Sequence, residues 1–414
     1  MPKHLLLIAP HNSYRIAAYC EAARELGAQV TIASAGEHSI ISAVSNGVHI
    51  DFADVDNAIQ LLLTAHQQTP FDAVIGSDDH SVELAARVAE VLSLPHNPIT
   101  AAQISRRKDK ARACLQAAGV NVPTYSVLNL KQSITEQIEH YDFPCVLKPL
   151  AMSASRGVIR VNNQQECIAA INLISLFLRD VKDPVESSRL LVEQYIDGAE
   201  VAYEGMLSHG ALSQLALFDK PEPLVGPYFE ESYYISPSRH DMTIQQRVHD
   251  TVAASCAAYG LTQGPVHAEC RIDALGKVWV MEVAARTIGG ECARLVEIAT
   301  GVKLEKLVIA QALSLSVEQA DFSGGAGVLM IPVAEAGILR RVEGTLAAQS
   351  VPYIEELVIS IREGSKLVPL PEGSSYLGFI YALAPSAEEA ELALREAHAA
   401  LRIVTAPLFE MHHR

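Results

Sequence analysis

The sequence predicts an α/β protein built in lobes, the first a parallel sheet covered by helices and the later ones of α+β character. Three observations carry this. Strand and helix patterns alternate through the first ninety-odd residues, which argues for parallel strands joined by helical crossovers. Mostly antiparallel strand patterns follow from Glu200 to Ala284, with one helical run among them, and beyond Gly324 the chain turns to short strands and a final helix.

In order, Leu5 to Ala9 reads as a buried strand, Tyr14 to Leu26 as a helix ended by Gly27, and Gln29 to Ala33 as a strand. Ala58 to His66 reads as a helix, Ala73 to Ile75 as a strand and Ser81 to Leu92 as a helix. Pro10-His11-Asn12-Ser13 opens the first helix, where such folds commonly hold ligands, but no GxGxxG supports a dinucleotide. Pro95 to Pro98 reads as a linker. A helix from about Ser105 to Ala118 is ended by Gly119, and residues 124 to 200 read as strand, helix, strand, a helix near Gln165 to Leu178, and strand. A helix spans about Ile244 to Tyr259, and one long helix is expected from Glu291 to Leu313. Strands are expected at Gly327 to Val333, Val351 to Arg362 and Tyr376 to Leu383, and a helix at Glu388 to Ala400.

The 414 residues call for more than one core. We expect domains at 1–97, 98–320 and 321–414, with a smaller lobe at about 121–196. Acidic residues outnumber basic ones 48 to 32, and no Lys/Arg cluster could track a phosphate backbone, so nucleic acid and anionic membranes are not expected partners. No apolar run reaches transmembrane length, and the seven cysteines show no CxxC spacing. A cytoplasmic location is the expectation.

The segment Gly264 to Arg286 reads as a β-hairpin turning at Ala274-Leu275-Gly276-Lys277. If Asp273 faces Val278, Cys270 pairs with Met281 and Glu269 with Glu282. Two carboxylates near 4 Å repel by roughly 1 kcal/mol in water and about 4 at intermediate dielectric. A hard divalent cation reverses that sign. The plain alternative is a solvated edge hairpin.

Elsewhere, Phe143-Pro144-Cys145-Val146-Leu147-Lys148-Pro149 is an apolar strand closed by a lysine, which suggests an anionic ligand. The small-residue loop Ser153-Ala154-Ser155-Arg156-Gly157-Val158 could bring backbone N–H groups to phosphates, or be only a turn. In Leu190 to Glu200, Glu193 is placed to accept from an exocyclic amine and Glu200 from ribose hydroxyls; an exposed acidic turn at Asp197-Gly198 is the alternative. Arg286, shortly after the acid pair, can hold a carboxylate or phosphate bidentately.

In this order the pieces resemble the ATP-grasp superfamily, and the chain is similar to its carboxylate-amine ligases along nearly its whole length. Lys108-Asp109-Lys110-Ala111-Arg112 ahead of Ala118-Gly119-Val120-Asn121-Val122-Pro123 is similar to the family's lysine helix and the strand after it. The resemblance implies an ATP-grasp fold with an N-terminal parallel α/β pre-ATP-grasp domain and a small C-terminal lobe. It implies that Lys108, with Lys110 as the alternative register, and Lys148 bind nucleotide together with Ser153, Ser155 and Gly157. Glu193 and the backbone of Tyr195 and Ile196 would form the adenine hinge, and Glu200 would take the ribose. Glu269 and Glu282 would hold Mg²⁺, or Mn²⁺ in its place, and Arg286 would contact an acyl phosphate. Many members carry Asn where Ala284 stands, which shifts the metal shell toward water and phosphate.

That substitution, Ala-Ala-Arg-Thr-Ile-Gly-Gly at 284–290, and Gly226 to Tyr234 look like the L-amino acid ligase branch. The implied function is ATP-dependent joining of amino acids into dipeptides or related amides, with ADP and phosphate released, as in making a small peptide metabolite or antibiotic. Glu230 or Glu231 is expected to bind the substrate ammonium, with His267 and Gly289 near the reacting centre. A homodimer is the expectation taken from the family and from soluble enzymes at large. The competing readings are a ligase of primary metabolism and a nucleotide-binding regulatory protein without turnover.

Overall fold

The computed structural model describes residues 2–36, 47–320, 323–373 and 375–408. It begins with a four-stranded parallel sheet in the order Gly47–His49, Gln29–Ser34, His4–Ile8, Ala73–Gly76. All five residues of His4–Ile8 are buried, as a near-continuous apolar run should be in a strand covered on both faces. The helices Arg15–Glu25 and Val55–Gln68 supply crossovers between its strands, and Val82–Val91 follows the last strand and packs against it.

A second sheet, antiparallel, has the order Tyr125–Asn129, Arg189–Gln194, Cys145–Pro149, Ile159–Val161. The helix Gln164–Phe177 packs its Cys167, Ala170, Ile171 and Ile174 against this sheet's apolar side. Residues 2–36, 47–320, 323–373 and 375–408 contain no helix long and apolar enough to cross a membrane.

The third sheet has eight strands in the order Val278–Ala284, Gly264–Ile272, Ala199–Ser208, Ala211–Lys220, Tyr233–Ser236, Gly325–Ile331, Gly378–Ala384, Ile354–Ile359. It runs without a break across residue 320, so the last three strands extend the sheet that carries the acid hairpin. A three-stranded sheet of Lys366–Leu367, Gly337–Glu343 and Arg402–Ala406 completes the chain's end, and its strands were not expected from the sequence.

Four sequence expectations need correction. The run Glu291 to Leu313 is two helices, Ala293–Thr300 and Leu304–Ala312, because Gly301 takes a left-handed φ of 69° and caps the first. The run Ser105 to Ala118 is also divided, into Ile99–Arg106 and Lys108–Ala117, since Arg107 is extended and the Lys108 N–H donates to the Leu150 carbonyl at 2.9 Å. Pro95 to Pro98 is no free linker: Asn97 exchanges hydrogen bonds with Thr262 and Gln263 at 2.8–2.9 Å. In the hairpin Ile272, not Asp273, faces Val278, and Cys270 faces Val280; a bulge at Met281 then restores Glu269 opposite Glu282.

Candidate active site

Three neighbouring strands set most of the site in register. Glu200, Ala202 and Glu204 alternate along Ala199–Ser208, and they face Arg271, Glu269 and His267 respectively on Gly264–Ile272. Glu282 and Ala284 stand opposite Glu269 and His267 on the next strand. On the other side Lys220 pairs with Glu200. The turn feeding this grid needs its glycine, since Gly198 has φ 143° and a Cβ there would sit 2.1 Å from the Ile272 carbonyl oxygen.

The grid forms one wall of a cleft of about 700 Å³. The same cleft is lined by Lys108, Lys148, Ser153, Ser155, Glu193, Tyr195, Ile196, Glu200, Glu230, Glu231, His267, Glu269, Glu282, Arg286 and Gly289, which unites nearly every residue singled out from the sequence. Gly157 is the exception. It faces away, where a Cβ would lie 2.9 Å from Pro149, and its φ of 72° shapes the loop. Lys110 is exposed and off the cleft, whereas the Lys108 ammonium donates to the Met152 carbonyl at 2.9 Å and lies 3.3 Å from Glu282.

At one end of the cleft Glu193 is buried with Lys148 at 2.6 Å and in contact with Arg112. Burial alone would push the Glu193 carboxyl up, but the two cations outweigh it and hold it at about 2. Arg112 follows Lys108 by one helical turn and donates also to the Met281 carbonyl. The Tyr195 ring meets Arg160 and Arg271, whose guanidinium carbons lie 4.1 and 5.2 Å from the ring centre.

The centre holds a cation not anticipated from the sequence. Lys220, 3% exposed, reaches Glu200 at 2.9 Å, Glu231 at 2.5 Å and Glu269 at 3.0 Å. Burial opposes its charge, yet the three carboxylates keep its pKa well above the usual value. Glu269 is likewise held low against burial by Lys220 and His267. Burial pushes Glu231 up to about 7, and Tyr234 donates to it at 2.7 Å. Arg271 joins the network through Glu200 at 2.8 Å.

Behind the grid His267 sits 3.3 Å from the fully buried Glu204 and 3.7 Å from Glu269. Both Glu204 oxygens accept from the Ile288 N–H, at 3.1 and 3.2 Å. Arg286 spends two nitrogens on Asp79, at 3.0 and 3.1 Å, and a third on the Thr287 carbonyl. Burial would raise the Asp79 carboxyl, but Arg286 and then Ser153 bring it well below the usual range.

Glu269 and Glu282 offer two cross-strand carboxylates on the cleft wall, while Ala284 offers only a methyl group. This hard-oxygen donor set fits a Mg²⁺ whose shell is completed by phosphate and water oxygens.

Asp79, Arg112, Glu204, Lys220 and Arg271 were missed by sequence reasoning. Lys220 carries the signal that drew attention to Lys148, a lysine closing a buried strand just before proline. Asp79 lies at the carboxyl end of the parallel strand Ala73–Gly76, where ligands gather in such sheets.

Residues 20–96 match an ATP-grasp N-terminal domain, 141–294 an ATP-grasp domain and 329–406 an L-amino acid ligase C-terminal domain 2. An uncharacterised Sinorhizobium fredii protein is 26% identical over 74% of this chain and 62% of its own length. The alanine–anticapsin ligase of Bacillus subtilis is 22% identical over 58% of this chain and 53% of its length, so the chain spans only about half to three-fifths of these two relatives. The crystal structure of L-amino acid ligase from Bacillus licheniformis superposes with a TM-score of 0.81 at 28% identity, covering 97% of this chain and 98% of that one. With these matches following one another along the chain, and the two acids, two lysines and arginine gathered in one cleft, the chain carries an ATP-grasp N-terminal domain and an ATP-grasp domain, followed by a region that matches an L-amino acid ligase C-terminal domain.

Proposed function

We propose that the protein is an ATP- and Mg²⁺-dependent ligase that activates the carboxylate of one amino acid as an acyl phosphate and joins it to the amine of a second, releasing ADP and phosphate. The observation that carries this reading is the meeting of Arg286, the Glu269–Glu282 pair, Lys108 and Lys148 in one cleft. A module that only binds nucleotide has no need of an arginine beside the acid pair.

In this reading Lys108, Lys148 and the backbone of the 153–158 loop hold the triphosphate, with Tyr195 and Ile196 at the adenine and Glu200 at the ribose. Glu269 and Glu282 would hold Mg²⁺, which would supply charge neutralisation at the phosphates. Arg286 steadies the carboxylate under phosphorylation and later the oxyanion formed as the amine attacks. The 153–158 loop acts as a lid against water, which would hydrolyse the activated acyl group. Glu231 is already engaged by Lys220 and Tyr234, which favours Glu230 as the partner of the substrate ammonium. Glu230 is half-buried in the same cleft, and burial raises its carboxyl.

The test is phosphate release from ATP and Mg²⁺ across a pairwise grid of free amino acids, with mass spectrometry of each positive well. Release that needs two amino acids and yields their combined mass less water supports the ligase. ATP binding without any amide product, across the whole grid, rejects it for free amino acids.

A further inference from the structure

The loop after Ala73–Gly76 belongs to the N-terminal sheet, yet it reaches into the cleft. Asp79 Oδ1 accepts from Arg286 Nε at 3.0 Å, and Oδ2 accepts from Arg286 Nη2 at 3.1 Å and from Ser153 Oγ at 2.7 Å. One carboxylate thus ties a strand-end loop, the first residue of the 153–158 loop and the arginine beside the acid pair. The Asp79 side chain is 14% exposed and that of Arg286 12%, so the pairing is largely shielded from water.

The surroundings make this carboxylate a fixed point. Arg15 donates to the Ser77 carbonyl at 2.7 Å, and Ser13 donates to Asp78 at 2.8 Å, which anchors the loop to the first helix. The same helix grips the segment that follows Arg286, through Arg15 to the Ile288 carbonyl at 2.8 Å and the Gly290 N–H to Tyr14 at 3.1 Å. The 153–158 loop joins this frame through Ser153. Ala154 and Ser155 hold left-handed φ values of 56° and 52°, a conformation that costs non-glycine residues about 1 kcal/mol or more. An external tie offsets that cost, and Ser153 to Asp79 is one.

We propose that Asp79 is a latch and positioning residue: it holds the 153–158 loop closed through Ser153 and, with the same carboxylate, aims the Arg286 guanidinium into the cleft. Closure of the loop and alignment of the arginine are then one event. When the loop opens, the carboxylate loses one partner and Arg286 is held less firmly. The role assigned to Arg286 rests on the ligase reading above; the latch itself does not.

Trypsin reports the latch directly, because Arg156 is exposed within the loop. In the full-length protein, Asp79→Ala and Ser153→Ala should each speed cleavage after Arg156 by about tenfold, the scale set by one charge-assisted hydrogen bond. The double variant should add little beyond either, since both remove one contact. Asp79→Ala alone should also raise the phosphate released per amide formed. Unchanged cleavage after Arg156 in a folded Asp79→Ala protein, or effects of the two substitutions that multiply, overturns the latch. If Asp79→Ala does not fold, Ser153→Ala and Asp79→Asn carry the same test. Faster cleavage in a protein that makes no amide keeps the latch and rejects the ligase; normal amide synthesis with unaltered cleavage does the reverse.

Discussion

Glu269 and Glu282 face each other across two strands because Met281 is squeezed out of the ladder between them. The bulge turns a hairpin whose near end is offset by one residue into one whose far end brings two acids together.

Removal of either acid should therefore leave the fold and abolish the chemistry. Glu282→Ala should cut ATP-dependent phosphate release at least about 100-fold. Its thermal unfolding should stay close to that of the parent protein, because the side chain is partly open to the cleft and relieves a like-charge pair when lost. Undiminished turnover in this variant would remove Glu282 from the metal site.

Lys220 should matter to stability more than any other single cation of the cleft. Its loss leaves Glu200, Glu231 and Glu269 crowded without their shared ammonium. Lys220→Met should cost about 3 to 5 kcal/mol in urea unfolding, and adding Glu231→Gln should recover part of that. Equal stability of Lys220→Met and the parent would refute this.

Acid sensitivity should trace in part to Glu193, alongside Asp79 and Glu269, whose carboxyls are also held low. Its folded value of about 2 lies below its ordinary 4.5, so its stabilising contribution is complete above about pH 5 and is lost as pH falls toward 2. Glu193→Gln should be less stable at neutral pH, with Arg112 and Lys148 left unpaired, and should lose less further stability between pH 5 and 2. Denaturant titrations at several pH values check both signs.

For substrate binding, Glu230→Gln should raise KM for one amino acid about 10- to 100-fold and leave KM for ATP alone. Initial rates with each substrate varied in turn decide this, and an unchanged KM for both amino acids removes Glu230 from the ammonium site.

The hairpin shows how far the sequence could be read. The hairpin itself was legible from alternation and the Asp273 to Lys277 turn, but Glu269 came out opposite Glu282 only because the one-residue error at Asp273 was offset by the Met281 bulge, and a bulge leaves no mark in residue type. The break at Gly301 carried a glycine signal that the apolar periodicity on both sides obscured. The break at Arg107 carried none, because its cause is distant: Lys108 gives its N–H to Leu150. Lys148 and Arg286 could be found by local pattern, and Lys108 by the resemblance to ATP-grasp ligases. Asp79 acquires its meaning only when residues 207 positions apart meet.

Under the proposed ligase function, the unbroken eight-stranded sheet offers the protein a way to change what it reads without changing how it reacts. Met330 and Phe379 are cross-strand partners on the extension beyond residue 320, and both line the cleft. They stand several strands away from the acid row, on a shared and rigid lattice. Drift in that pair can reshape the far wall for a new side chain while the spacing of Glu269, Glu282 and Arg286 stays fixed. The architecture thereby separates inheritance of the reaction from invention of the product.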